Sequence, residues 1–447
     1  MSAIAGIAHP GKSHEVNHML EKMAHRGPMG QHVIETETAT LGMCWTHLQS
    51  NDSTRLEQSH TAWDRAGEGH YALAQASPGG LRLERDPLGI APLYYGHARD
   101  GALCFASEVK GLLLATQDVH EFPPGHWFDG QNLAPSCPSI NLSPLTDSPD
   151  DIARELRRRL EVSVLKHIGN GEVGAWLSGG LDSSTMAVLA RSHVRQLHTF
   201  VAGIAGAPDL EYARQVAEFL HTDHHEVIVN FEEMLAALPD VIYHLESFDA
   251  LLVRSSITNY LVAQRAAEYV PAVFSGEGGD ELFAGYEYLK TLDPALLPSE
   301  LVDITARLHN TALQRVDRCA SAHGTVAHVG FLDPDVLEYA QRIPTDLKLH
   351  HGVEKWILRQ AMAGALPDSV LNRPKSKFWQ GAGVEDLLAE YANEKISDTD
   401  FQRERQLPNG WVLNTKEELL YYRIFREYFG ILSDFSWMGR TKGAPVA

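Results

Sequence analysis

Eight consecutive residues offer the most distinctive chemistry in this chain: Leu177-Ser178-Gly179-Gly180-Leu181-Asp182-Ser183-Ser184. Two glycines let the backbone approach a ligand closely, and the adjoining run Ser184 to Arg191 reads as a helix. A helix start presents unpaired N–H groups and a positive dipole end, which suits pyrophosphate. Ser178, Ser183 and Ser184 add hydroxyl donors. Asp182 would repel a phosphate by itself, so it is expected to reach one through Mg2+. The plainer alternative is a serine-capped Gly-Gly turn. The candidate strand Val173 to Leu177 ahead of the octet argues for the phosphate loop, although the pattern is not GxxxxGK[ST].

A second loop has the same setting. Phe274-Ser275-Gly276-Glu277-Gly278-Gly279-Asp280-Glu281 comes directly after the candidate strand Ala272 to Phe274. It carries three glycines and three carboxylates. So many acids beside a phosphate site would be unfavourable unless they hold a metal or move protons. The alternative here is a solvated acidic turn.

These loops need elements to position them. From Val173 onward, short β-rich runs alternate with helical ones. Leu197 to Val201 and Glu226 to Val229 read as strands; Leu210 to Leu220 and Asn259 to Glu268 read as helices. That alternation predicts a parallel sheet covered by helices, with mostly helical sequence beyond about residue 295. A helix is predicted after residue 148: Ser148 caps it, Pro149 suits its first position, and Ile152, Leu156, Leu160 and Val164 line one face. Residues 1–128 hold short runs separated by Gly and Pro, read as strands and turns with a helix near Val16 to Met23. Residues 129–149 read as a linker, and residues 436–447 as a flexible tail.

The totals narrow the function classes. The chain has 447 residues and a formal net charge of −20. Such a chain repels nucleic acid at long range. Cys44, Cys104, Cys137 and Cys319 form no metal-binding spacing and read as reduced thiols. No apolar run is long enough to span a membrane, so a cytoplasmic protein is expected.

The octet resembles the pyrophosphate loop of ATP pyrophosphatases, which cleave ATP between the α and β phosphates. The whole ordered set of motifs resembles the asparagine synthetase family. It comprises Ser178 to Ser184, Ser275 to Tyr286, Lys355-Trp356-Ile357-Leu358-Arg359 and Arg373-Pro374-Lys375. In the first part it adds His25-Arg26-Gly27-Pro28, Arg85 to Ile90, Phe105 to Lys110 and Pro123-Pro124-Gly125. The resemblance implies an α+β and α/β chain. Residues 1–128 would be an N-terminal nucleophile-hydrolase-like sandwich, a degenerate class II glutamine amidotransferase. Residues 150–435 would be an α/β ATP-pyrophosphatase synthetase domain.

It also implies roles. Leu177 to Ser184, Val201, Ser275 and Gly276 would bind ATP, and Asp182 and Asp280 would hold Mg2+. Glu277, Lys375 and Lys355 would be catalytic, while Arg254, Ser255 and Tyr286 would meet the substrate. Arg254 reads equally as a bidentate carboxylate fork or as one end of a structural ion pair. Glu277 favours ammonia as acceptor, since lactam-forming relatives carry Tyr there.

Two departures matter. The family glutaminase begins Met-Cys-Gly-Ile, whereas Ser2 stands at the nucleophile's place here. The Arg expected after Leu41-Gly42 is absent from Met43-Cys44-Trp45-Thr46-His47-Leu48, and the shortened stretch up to Arg85 holds no Asn-Gly-Glu segment. A glutaminase without chemistry is therefore expected. Near the substrate, a Glu has become Val326, an Arg has become His328 and a Pro has become Gly330. The expected function is an ammonia-dependent ligase joining aspartate and ammonia into asparagine, AMP and pyrophosphate. The alternatives are a related ligase using another acid or amine, and an ATP-binding regulator without turnover. A homodimer or a separate glutaminase partner is compatible with either ligase.

Overall fold

The computed structural model describes residues 2–46, 52–136, 143–169, 171–375, 381–384 and 387–441. Cys137, His47, Leu48 and the end of the expected tail, 442–447, lie outside them.

The short runs of the first part form eleven strands: β1 (Ser2–Ile7), β2 (Gly30–Glu35), β3 (Thr40–Trp45), β4 (Thr61–Gly67), β5 (His70–Ser77), β6 (Gly80–Arg85), β7 (Tyr94–His97), β8 (Leu103–Ala106), β9 (His120–Glu121), β10 (His126–Phe128) and β11 (Leu133–Pro135). Two antiparallel sheets result, ordered β2-β3-β1-β8-β7-β9 and β11-β10-β6-β5-β4. Alternation drives their packing: Ala72, Ala74 and Ala76 of β5 point inward, against Ile4, Leu41 and Met43 of the other sheet. β11 falls inside the stretch expected as a linker, because it hairpins onto β10 with Trp127 opposite Ala134.

The helix Pro149–Ile168 begins as its sequence dictates. Ser148 Oγ accepts from the Asp151 N–H at 3.2 Å, and Ile152, Leu156, Leu160 and Val164 are buried. Five parallel strands come next: β12 (Gly174–Trp176), β13 (His198–Gly203), β14 (Asp223–Ile228), β15 (Ala272–Phe274) and β16 (Val326–His328). Their order is β14-β13-β12-β15-β16, with helices as crossovers. The helix read as Asn259 to Glu268 instead spans Ala250–Ala267, because Asp249 caps it by accepting from the Leu252 N–H at 2.8 Å.

The two parts share a core. Ala3, Tyr94 and Val109 of the first part pack in one cluster with Phe248, Phe425 and Trp437 of the second. Trp437 is buried and the Thr441 hydroxyl donates to Asp249, so the expected tail is packed as far as residue 441. Among the described residues, no helix is long and apolar enough to cross a membrane.

Candidate functional site

The strand order places the site. β12 leads by its crossover to β13 on one side, while β15 pairs with its other edge, so a crevice opens at their carboxyl ends. Both sequence loops leave the sheet there. Leu177 continues the pairing, its N–H donating to Phe200 O at 2.7 Å. Gly179 then turns with φ +68°, and a Cβ there would stand 2.4 Å from Tyr212, so neither the angle nor the space admits a side chain. Gly180 begins the helix Leu181–Arg191, which points its first N–H groups at the crevice. Ser178 Oγ and Ser183 Oγ share a hydrogen bond of 3.1 Å.

The second loop closes on the first. A Cβ on Gly276 would stand 2.7 Å from the Ser183 N, and one on Gly279 would stand 2.5 Å from Asp182 Oδ1. Those contacts bring Asp182 and Asp280 together across the crevice. Lys355 bridges them, pairing with Asp182 Oδ2 and, at 2.7 Å, with Asp280 Oδ1. Lys375 pairs with Asp280 Oδ2 at 2.6 Å. Lys355 sits at φ +55°, a left-handed backbone rare for a side chain of this kind. Burial raises the Asp182 carboxyl above its ordinary value even though Lys355 opposes it. Burial would do the same to Asp280, but Lys355 and Lys375 hold it below.

The donor set fits a hard divalent cation. Asp182 Oδ1 is buried without a hydrogen-bond partner, beside the second carboxylate. Glu281 adds a third acid. Its Oε1 accepts from the Tyr286 hydroxyl, and its Oε2 is buried and unpartnered. Burial, then the charges of Asp280 and Glu277, push Glu281 up to about 7. A carboxyl raised in the fold stabilises fully below its unfolded value, near 4.5, and that stabilisation is lost as pH rises through about 7. Glu281→Gln should therefore flatten the fall in urea stability between pH 5 and 8 by about 3 kcal/mol. An unchanged slope would show that Glu281 does not titrate there.

Sequence positions separate at this point. Leu177, Val201 and Ser275 are buried along the crevice strands and their ends. Tyr286 joins the acid cluster. Arg254 and Ser255 are not brought into it: Arg254 forks onto Glu417, and the buried Ser255 hydroxyl donates to Leu252 O at 2.9 Å. Glu277 pairs with Arg315, a residue for which no sequence motif spoke. Arg373 braces the phosphate loop: it donates to Ser178 O at 2.9 Å, pairs with Asp209 at 2.6 Å and lies over the Tyr212 ring. Its place two residues before Lys375 was the available signal.

Comparison with known proteins fits this geometry. An asparagine synthase family model matches residues 155–304 and 297–437, and a glutamine amidotransferase domain model matches residues 44–114. Asparagine synthetase B of Escherichia coli, a glutamine-hydrolysing enzyme by its name, is 36% identical over 396 residues, covering 83% of this chain and 71% of that one. The chain belongs to the asparagine synthetase family. It is a carbon–nitrogen ligase. A probable asparagine synthetase of Schizosaccharomyces pombe is likewise 36% identical, over 77% of this chain and 69% of its own. Among solved structures, the NMN synthetase of Francisella tularensis is 12% identical with a TM-score of 0.31, over 66% of this chain and 100% of that one. That likeness is too slight to carry the fold.

Within this asparagine synthetase family member, the three unusual positions near β16 have packing roles. Val326 is buried in β16 opposite Ala272, and the His328 ring packs on His167 and Phe274. The His328 carbonyl accepts from the Ser275 N–H at 2.9 Å, so its backbone helps to position the second loop. A Cβ on Gly330 would stand 2.8 Å from Met186 Sδ. Ser2, at the nucleophile's place, is fully buried in β1. Its N–H donates to Asp64 Oδ1 at 2.9 Å, and its hydroxyl lies 3.1 Å from both Trp63 O and Asp64 Oδ1.

Proposed function

We propose that this chain makes asparagine from aspartate, ATP and ammonia, and that its N-terminal part does not split glutamine. The single observation behind the synthetase reading is the meeting of two glycine loops over Asp182, Asp280, Lys355 and Lys375. An oxygen of the side-chain carboxylate attacks the α-phosphorus, and the bond to the β-phosphate oxygen breaks. Pyrophosphate leaves into the loop Ser178 to Ser184, whose N–H and hydroxyl groups neutralise its charge. Asp182 and Asp280 would hold Mg2+, which when bound would shield the phosphate charge. Lys375 and Lys355 face the charge that grows on the α-phosphoryl oxygens. Leu177, Val201 and Gly276 line the adenosine. Ammonia then attacks the acyl carbon, AMP departs with the C–O bond electrons, and Glu277 takes the proton released from nitrogen.

The burial of Ser2 supports the second half of the reading. A nucleophile must reach its substrate, and this buried hydroxyl turns its one proton to Trp63 O or Asp64 Oδ1. Ser2→Ala should leave ammonia-dependent synthesis unchanged, with glutamine unused before and after. Glutamine-dependent synthesis that vanishes in Ser2→Ala would overturn this. A second reading, a ligase for another acid, draws on Val326 and His328, which replace two charges usual in the family.

The deciding experiment is pyrophosphate release from Mg-ATP and aspartate, with ammonium and glutamine supplied separately. Release with ammonium alone, with asparagine formed, is the expected result. Release with neither nitrogen source, but with some other acid and amine, would transfer the assignment to the second reading.

A further inference from the structure

A second group of ligand-type side chains lies at the far end of the parallel sheet. His198 opens β13, and Asp223 opens β14 directly opposite it. His225 stands two residues further on, so its side chain emerges on the same face as that of Asp223. His198 Nδ1 is 3.2 Å from His225 Nε2 and 3.4 Å from Asp223 Oδ2, while His225 Nε2 is 3.6 Å from Asp223 Oδ1. Among the described residues, this is the grouping whose ligand atoms come close enough together to surround one ion.

We propose that His198, Asp223 and His225 form a Zn2+ site. Ligand atoms about 2.0–2.1 Å from a tetrahedral zinc stand about 3.3–3.4 Å from one another; the two imidazole nitrogens meet that spacing at 3.2 Å, and one ligand atom from each of the three residues lies within 4.8 Å of the other two. Two imidazoles and one carboxylate match zinc better than Mg2+, which prefers oxygen ligands. The ligands are also held in place from outside. His225 stacks on Phe200 and packs against Tyr269, and the Gln196 amide donates to Asp223 Oδ2 at 3.1 Å. Asp223 borders a surface cavity of about 500 Å3 lined also by Arg195, Gln196, His221 and Thr222. His198, Asp223 and His225 are all partly exposed, so water can complete the tetrahedron.

The position defines the role. The site joins the amino ends of β13 and β14, whereas the phosphate loop lies at the carboxyl ends. β13 alone separates the two by roughly 16 Å. A zinc here ties edge strand β14 to its neighbour and takes no part in phosphoryl chemistry.

The test uses the full chain, stripped with chelator and held in excess Mg2+. Zn2+ titration should show one equivalent bound, with the unfolding midpoint raised by about 2–4 °C. Co2+ in place of zinc should give the strong visible absorption of a four-coordinate ion. Asp223→Asn, a same-shape change at a half-exposed position, and His225→Ala should each weaken binding at least about tenfold. Both should leave pyrophosphate release unchanged. Binding as tight in both variants as in the parent, a stoichiometry far from one, or six-coordinate Co2+ spectra would overturn the assignment.

Discussion

Asp182→Ala should lower pyrophosphate release on the order of a thousandfold while the protein stays folded. The carboxylate supplies the orphaned Oδ1 and the partner of Lys355 in the crevice. On the proposed reading its loss removes one cation ligand, and it leaves Lys355 paired with Asp280 alone. Stability should not suffer. Burial holds the Asp182 carboxyl above its ordinary value, so its charge is disfavoured in the fold. An acid raised in this way stabilises below its unfolded value and loses that contribution as pH rises past the folded one. At pH 8 the alanine variant removes that disfavoured charge but leaves Lys355 paired with Asp280 alone, so its thermal midpoint should stay close to that of the parent. Pyrophosphate release and thermal unfolding on one preparation check both statements. Retained turnover would remove the metal assignment, and unfolding would remove the claim that the residue is kept for chemistry.

Arg26→Met should cost about 3–5 kcal/mol of stability. Arg26 is fully buried between the two parts. It meets Asp317 at 2.7 and 3.0 Å, Asp64 at 3.2 Å, Glu108 at 3.2 Å and the Ser2 carbonyl at 2.9 Å. Removing the guanidinium leaves three buried carboxylates with less positive charge among them. Arg318 still reaches Glu108 at 2.7 Å, which limits the damage there. Asp64 has no such second arginine among the described residues, and burial already raises it. Methionine fills the volume, so the loss reports charge and hydrogen bonds rather than a cavity. Chemical denaturation would measure it, with the exposed Arg154→Met as a control that should show no change. A midpoint equal to the parent's would mean that the remaining cations carry the interface without Arg26.

Much of the site was legible because its determinants are local. The octet Leu177 to Ser184 carries its own glycines, hydroxyls and helix start, and Gly179 adopts the left-handed turn that only glycine accepts freely. Ser148, Pro149 and the four-residue repeat of Ile152, Leu156, Leu160 and Val164 marked a helix for the same reason. A resemblance spread over several ordered motifs then gave the family, which the comparisons show.

What remained hidden depends on strand order and on contacts between distant residues. Lys355 meets Asp182 across 173 positions, held there by its backbone N–H, which donates to Phe283 O at 3.1 Å just beyond the second loop. Arg315 carries no local pattern, since a lone arginine in a helix says nothing of the carboxylate it faces. Ser2 was legible only as the residue at the nucleophile's place; its burial comes from β4, whose Trp63 and Asp64 lie against its hydroxyl. His198, Asp223 and His225 become neighbours only through the parallel register of β13 and β14. The sequence alone thus determined which segments carry candidate binding chemistry, because glycine angles, caps and charge are properties of a few adjacent residues. Tertiary structure decided which charges face one another, because that depends on how the sheets are ordered.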